Sequence, residues 1–390
     1  MPRKDLVSVR RGTLAQWATA EAAGPVLLAG ERGYISDTNE DVVGDGVTKV
    51  ASLARVGSST YAGAMFPAAA IAAGSKGRFS PDRSAYAIGS SLRSIRTALG
   101  NTIVGAGYAR INIVGDSMVD GATPGGQLWK NGFAGRLRDA LSADFGCGGT
   151  GVIHMITGSW TSDDRFVSTG SWTQSSFGAF GAGCAFATSS ATLKFTPDVP
   201  VDSFTVWYAT GASGGTFALS VDGGTATNVN SNGGDGMSSQ VITAGAAGRH
   251  VLTITAPSSN NAFIIAVEAT LGTTGVRVTR CGKGGTKASD FDGGGTAPIT
   301  SYVALNTPAP PDLTIICSLA NEAAGSQAVA TYKTALTNIA TQGKLTGDVL
   351  LLVEPYDPVS APTIPLVQYR TAVYQVADTL GCALVDVRRI

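Results

Sequence analysis

Histidine is nearly missing from this chain: its 390 residues hold two, His154 and His250. Glutamate is scarce, with 6 residues against 22 aspartates, and that bias suits turns and strands better than long surface helices. Cysteine is sparse as well. Cys147, Cys184, Cys281, Cys317 and Cys382 are an odd number without a CxxC pair, which excludes a disulfide framework or zinc knuckle and reads as small buried apolar residues. No metal or cofactor is expected. Net charge is absent too: 28 basic and 28 acidic residues sum to zero, so neither a nucleic-acid footprint nor a polybasic membrane contact is indicated. The longest apolar stretch, near AMFPAAAIAAG, is too short and broken to span a membrane. The start, MPRKDLVSVRR, has no apolar h-region, so no secretory signal is expected.

Glycine and apolar residues are plentiful. The 51 glycines and 44% hydrophobic content allow many turns and sizeable cores, and the length exceeds that of most single domains. Residues 1–55 read as a unit. Val7 and Val9 alternate with polar neighbours as in a half-buried strand, Thr13 can cap a short helix through Trp17 and Ala20, and Asp45-Gly46 signals a tight turn. The succession RRGT, W, LAGERGY, D, GDG resembles the N-terminal module of phage tail fibres and tail-associated lyases. That resemblance implies a small, mostly β attachment piece, a homotrimer, other tail or baseplate proteins as partners, and a place in the virion. Residues 56–100 read as a Gly/Ala/Ser-rich connector and a helix. Ser80 is its N-cap, Pro81 its first helical position, and Gly100 its stop.

The next stretch is the focus of the chain. INIVGDS, residues 111–117, is an apolar, β-branched run too short for a helix, so it reads as a buried strand. Gly115 permits a sharp turn, Asp116 can tie that turn down, and Ser117 sits at the carboxyl end of the strand, where open α/β sheets carry their chemistry. A helix is expected near 131–143. From about 146 to 274 no helix is predicted. SATLKFTP, SFTVWYAT, TFALSVDGG, HVLTITAP and AFIIAVEAT alternate with turn clusters, as in an antiparallel β-sandwich. Its aromatics Trp160, Trp172, Phe177, Phe180, Trp207 and Tyr208 serve either a core or sugar stacking. Its two ends must return to one sheet edge, so it is expected to be separable. Afterwards VRVT (276–279), LTIIC (313–317), VLLLV (349–353) and ALVDV (383–387) alternate with helical segments near 327–341 and 364–380. The fold class is therefore a three-layer α/β parallel sheet over 101–145 plus 275–390, with 146–274 inserted.

Acyl transfer by serine needs a nucleophile, oxyanion donors and a base. Ser117, a glycine of CGKGGT and Asn321 of SLANE would all stand at carboxyl ends of neighbouring parallel strands. Together these blocks resemble the SGNH (GDSL-like) hydrolases. The resemblance implies a flavodoxin-like sheet, Ser117 as nucleophile, Asp116 as its support, and Gly285 (with Gly284 as the alternative register) and Asn321 as oxyanion donors. The third block departs from Gly-x-Asn-Asp, reading Leu319-Ala320-Asn321-Glu322. The family's Asp-x-x-His is also missing. Asp386 and Arg389 have its spacing, but arginine stays protonated and is no base. Three accounts stay open: the chain stops before that block, the domain is degenerate, or His154 substitutes. The resemblances together imply a tail protein that removes O-acyl groups from a host cell-surface glycan. The competing expectation is a non-catalytic glycan-binding scaffold.

Overall fold

The computed structural model describes residues 10–20, 22, 27, 32–35, 40–43, 49–50, 85–86, 88–120, 128–155, 163–175, 184–282, 284–292, 310–355 and 362–387. They fall into two compact units, 1–82 and 83–390.

In the first unit β1 (Arg10–Gly12) runs parallel to β2 (Arg32–Ile35), which pairs antiparallel with β3 (Glu40–Val43). The helix Leu14–Ala20 begins as its sequence indicates. Thr13 Oγ1 accepts the Gln16 N–H at 3.2 Å while Gln16 Oε1 accepts the Thr13 N–H at 2.8 Å, a reciprocal capping box. Trp17, Leu27, Ile35 and Val50 form its buried cluster. Val7, Val9 and Asp45-Gly46 lie outside the described residues, as does the connector 56–79.

The second unit is built on one mixed sheet. In chain order its strands are β4 (Ala85–Tyr86), β5 (Tyr108–Gly115), β6 (Gly149–His154), β8 (Trp172–Ser175), β9 (Cys184–Ala187), β11 (Val201–Thr210), β14 (Gly236–Gly248), β16 (Ala262–Thr270), β17 (Gly275–Gly282), β18 (Leu313–Cys317), β19 (Asp348–Val353) and β20 (Ala383–Asp386). A second sheet holds β7 (Phe166–Thr169), β10 (Thr192–Phe195), β12 (Thr216–Val221), β13 (Thr227–Asn230) and β15 (Leu252–Thr255). The large sheet's path is β14-β11-β16-β6-β17-β5-β18-β19-β20-β4. Neighbours among β17, β5, β18, β19 and β20 are parallel, and β5, first of the five in the chain, lies second in space. That is the doubly wound order whose crevice opens at the carboxyl ends of the strands. Ile95 and Ala98 of the helix Arg93–Ile103, with Ala134 of the helix Phe133–Phe145, pack over Ile111, Ile113, Val278 and Ile315. Helices Val329–Lys344 and Leu366–Leu380 pack on each other and on β18, β19 and β20.

The strands read from the β-branched runs fall at the expected segments; the edges differ. Ser80 and Pro81 lie outside the described residues; Ala85–Tyr86 is taken up as an antiparallel edge on β20, a single helical turn follows at Ile88–Ser91, and the longer helix begins at Arg93. No side chain caps it locally; instead Asp348 Oδ2, from β19, accepts the Ile95 N–H at 3.0 Å. Gly100 does not stop it. The helix runs on to Ile103, and Gly105 (φ +73°) and Gly107 (φ +132°) make the turn.

Residues 149–270 do not stand apart from the parallel strands. β6 lies beside β17 in parallel, and β16, β11 and β14 continue the same sheet antiparallel. The five-stranded sheet packs over this extension through Phe195, Phe217, Leu219 and Ile254 against Phe204, Val206, Ile264 and Val267. An ion-pair latch adds to the join. Arg138, on the helix Phe133–Phe145, meets Asp198 at 2.5 Å; Asp198 also holds Arg165 at 2.8 Å, and the Arg165 guanidinium lies 4.4 Å from the Trp129 ring centroid. The expected separability therefore meets a shared sheet and shared charges. Asp198→Ala leaves both arginines buried with Asp139 and Asp163 as their remaining acids, and is expected to cost about 2 kcal/mol in urea unfolding.

Trp207 and Tyr208 are 9% and 7% exposed and belong to the core, which removes them as sugar-stacking platforms; Trp172 is half-buried against the same core. Trp160, Phe177 and Phe180 lie outside the described residues.

Candidate active site

Strand β5 ends in Gly115, hydrogen-bonded in register between Gly282 and Cys317. The glycine is there because the backbone of β18 comes too close for anything larger: a Cβ would lie 1.9 Å from the Cys317 carbonyl oxygen and 2.7 Å from Val119 Cγ2. Its φ is not in the positive region, so close approach rather than turn flexibility sets the residue. Asp116 follows, 1% exposed. Its Oδ1 accepts the Met118 N–H at 2.9 Å and its carbonyl accepts Val119 N–H at 3.1 Å, so it starts the short helical turn Ser117–Asp120. Burial raises the Asp116 pKa against the opposing pull of the Met118 and Asp116 backbone N–H groups. Ser117 is the half-exposed first residue of that turn.

The loop after β17 passes directly over the serine. A Cβ on Gly284 would stand 3.9 Å from Ser117 Cβ, whereas Gly285, at φ +79°, has nothing within 4 Å of that position. The sequence leaves either glycine open as a donor; Gly284 is the one against Ser117. The Asn321 side chain, after β18, completes the group. Its Nδ2 donates to Asp116 Oδ2 at 3.2 Å and to the Thr286 carbonyl at 2.8 Å. Asn321 thus ties three strand ends together. Both amide hydrogens are engaged, so stabilising an oxyanion requires one of these bonds to exchange.

Two buried carboxylates stand behind Asn321: Glu322, next to it in sequence, and Glu354, to which the sequence motifs do not point. Glu322 is fully buried; its Oε1 accepts the Ala288 N–H and the Ser318 hydroxyl. Glu354, the first residue after β19, is 1% exposed; its Oε2 accepts the Ala320 N–H at 2.9 Å and its Oε1 the Cys317 thiol at 3.2 Å. Burial, then the Asp116 charge, pushes Glu354 up to about 7, and burial raises Glu322. The signal for Glu354 was its position, an acid closing an apolar strand.

Neither histidine has an Asp-x-x-His setting. His154 ends β6 and is 3% exposed, with Nε2 at 3.5 Å from Cys281 Sγ; burial and then the Arg280 charge lower its pKa to about 3. His250 bonds Asp222 at 2.6 Å and the Ala246 carbonyl at 2.8 Å, on the antiparallel part. Asp386 is buried on β20 and paired to Arg370 and Tyr374; Arg389 lies outside the described residues. Among the described residues no group of three or more His, Cys, Asp or Glu is arranged to hold a metal ion, and no helix is long and apolar enough to cross a membrane.

A mixed α/β sheet with a serine at the carboxyl end of its central strand, backed by an aspartate and faced by a glycine and an asparagine, defines an open α/β protein with a polar cluster at its strand ends. A solved structure of a peptidoglycan O-acetylesterase shares this fold, at TM-score 0.57 and 18% identity, over 75% of this chain and 82% of that one. Weaker likenesses are to a salicylyl-acyltransferase from a tetracycline biosynthetic pathway (TM-score 0.26, 12% identity, 57% and 83% covered) and a family two carbohydrate esterase from Cellvibrio japonicus (TM-score 0.23, 10% identity, 60% and 87% covered). No protein-family model matches the chain, and no curated protein matches it.

Proposed function

We propose that the chain is an SGNH-type serine esterase that removes O-acyl groups, acetyl foremost, from a host surface polysaccharide, and that it is carried on a phage tail fibre or spike. The observation that carries the chemistry is the meeting of Ser117, Gly284 and the Asp116–Asn321 pair at three neighbouring strand ends. Ser117 Oγ would attack the acyl carbonyl. The oxyanion would face the Ser117 N–H, the N–H of Gly284 or Gly285, and Asn321 Nδ2. The sugar oxygen would leave carrying the proton that the Ser117 hydroxyl gives up; water would then attack the acyl-serine, its proton returning to Ser117 Oγ as the acid is released. The fold shared with a peptidoglycan O-acetylesterase supports this substrate class. The tail assignment is supported by the RRGT…LAGERGY…GDG pattern and implies a homotrimer bound to other tail proteins. In this reading residues 146–274 are the inserted, carbohydrate-facing part.

A second reading, a glycan-binding tail scaffold without turnover, is favoured by the state of the histidines, since His154 is buried and weakly basic and His250 is bonded to Asp222. Acetate release from an O-acetylated polysaccharide separates the two. Ser117-dependent release supports the esterase; glycan binding without release by wild type supports the scaffold. Light scattering tests the trimer separately, and a monodisperse monomer would remove the tail assignment without touching the chemistry.

A further inference from the structure

Glu354 does not reach toward Ser117 through any hydrogen bond, yet it brackets the turn that delivers Asn321. One carboxylate oxygen holds Cys317, the last residue of β18, and the other holds the N–H of Ala320, the residue before Asn321. From the other side Glu322 ties Ser318 of the same turn to Ala288 of the loop after β17. Leu319, between these anchors, has φ −171° and ψ −36°, outside regular strand or helix values, and no side chain caps the helix it precedes. The turn is therefore held by Glu354, just after β19, on one side and by Glu322, from the helix it opens, on the other. Asn321 carries this placement forward to Asp116 and Thr286.

We propose that Glu354 is a positioning residue for the reaction: by clamping Cys317 and Ala320 it sets the distance of the Asn321 amide from the serine turn. The proposal deepens the esterase reading and rests on it for its kinetic part. A carboxylate is suited to the role because it presents two acceptors in one plane, and the two donors it meets lie three residues apart on one turn. Glutamine keeps an acceptor for the Ala320 N–H and replaces the charge; alanine removes both contacts.

The test compares wild type, Glu354→Ala and Glu354→Gln by acetate release from an aryl acetate, and by NMR hydrogen exchange of the Asn321 side-chain amide. Expected for Glu354→Ala is a fall in kcat on the order of 10- to 100-fold with KM changed by less than about 2-fold, the size expected when a reacting group is held about an ångström out of place. The Asn321 amide protons should lose protection in the same variant. Glu354→Gln should recover kcat to within about 3-fold of wild type and restore the protection. If alanine leaves kcat and the Asn321 amide unchanged, or if glutamine is as damaging as alanine, the positioning role is overturned. If wild type shows no Ser117-dependent turnover, the esterase reading falls, while the amide exchange of the three proteins still decides whether Glu354 places Asn321. Should the alanine variant not fold, the wild type and glutamine pair decides: retained kcat and protection support the role, loss of both overturns it.

Discussion

Lowering the pH from 7 to 3 is expected to strip roughly 4–5 kcal/mol from folding stability through His154 alone. The sign follows from which state takes the proton. In the unfolded chain this imidazole has the ordinary value of 6.5; in the fold, burial among β6, β16 and β17 and the Arg280 charge lower it to about 3. Above pH 6.5 both states are neutral and the histidine has no linkage effect. Between 6.5 and 3 the unfolded chain binds a proton that the folded chain refuses, so stability falls with every step toward acid, at about 1.4 kcal/mol per pH unit. The raised carboxylates Glu354, Glu322 and Glu268 act the other way, since the folded state holds their protons more tightly. The His154 contribution is therefore isolated by difference. Urea unfolding of wild type and His154→Gln across pH 3 to 7.5 should show wild type losing roughly 4–5 kcal/mol relative to the variant toward acid. Parallel curves would mean that His154 takes up its proton in the fold.

Gly115→Ala is the second large effect. A methyl placed 1.9 Å from a backbone oxygen must displace it, and that oxygen belongs to Cys317, hydrogen-bonded into β18 beside β5. Neither strand is at an edge, so there is no free side toward which to move. Overpacking of this kind costs up to about 3 kcal/mol when side chains alone can give, and here the obstacle is backbone. We expect a loss of about 3 kcal/mol or more in urea unfolding. Because Asp116 and Ser117 follow immediately, and Cys317 is one of the two points Glu354 holds, whatever activity the protein has should fall with it. An alanine variant as stable as wild type would show that the β5–β18 spacing is not set by this glycine.

Much of this was legible in the chain. Runs such as INIV, LTIIC and VLLLV are apolar, short and bounded by turns, and each became a strand of the parallel part, where an apolar run is covered by packing. Ser117, Asp116 and Asn321 were legible as strand-end residues. The sheet's continuity was not. β14 is long, polar and glycine-rich, and pairs along β11 through backbone bonds that leave no apolar period in the sequence. The start of the helix at Arg93 was hidden because its cap comes from Asp348, over 250 residues away. Glu322 and Glu354 were visible as letters, and in a chain with six glutamates they invite attention, but what they hold is set by pairing between strands distant in sequence.

The central claim is that Ser117 stands in an acyl-transfer site, and its most direct measurement is acetate release from a simple aryl acetate by the 390-residue chain beside Ser117→Ala. With His154 buried and weakly basic, turnover is expected to be slow. Donors fixed around the serine should nonetheless hold attack by Ser117 Oγ above the uncatalysed rate, and Ser117→Ala, which keeps the donors but lacks the nucleophile, should release acetate more slowly than wild type. Equal release by the two proteins would contradict the claim.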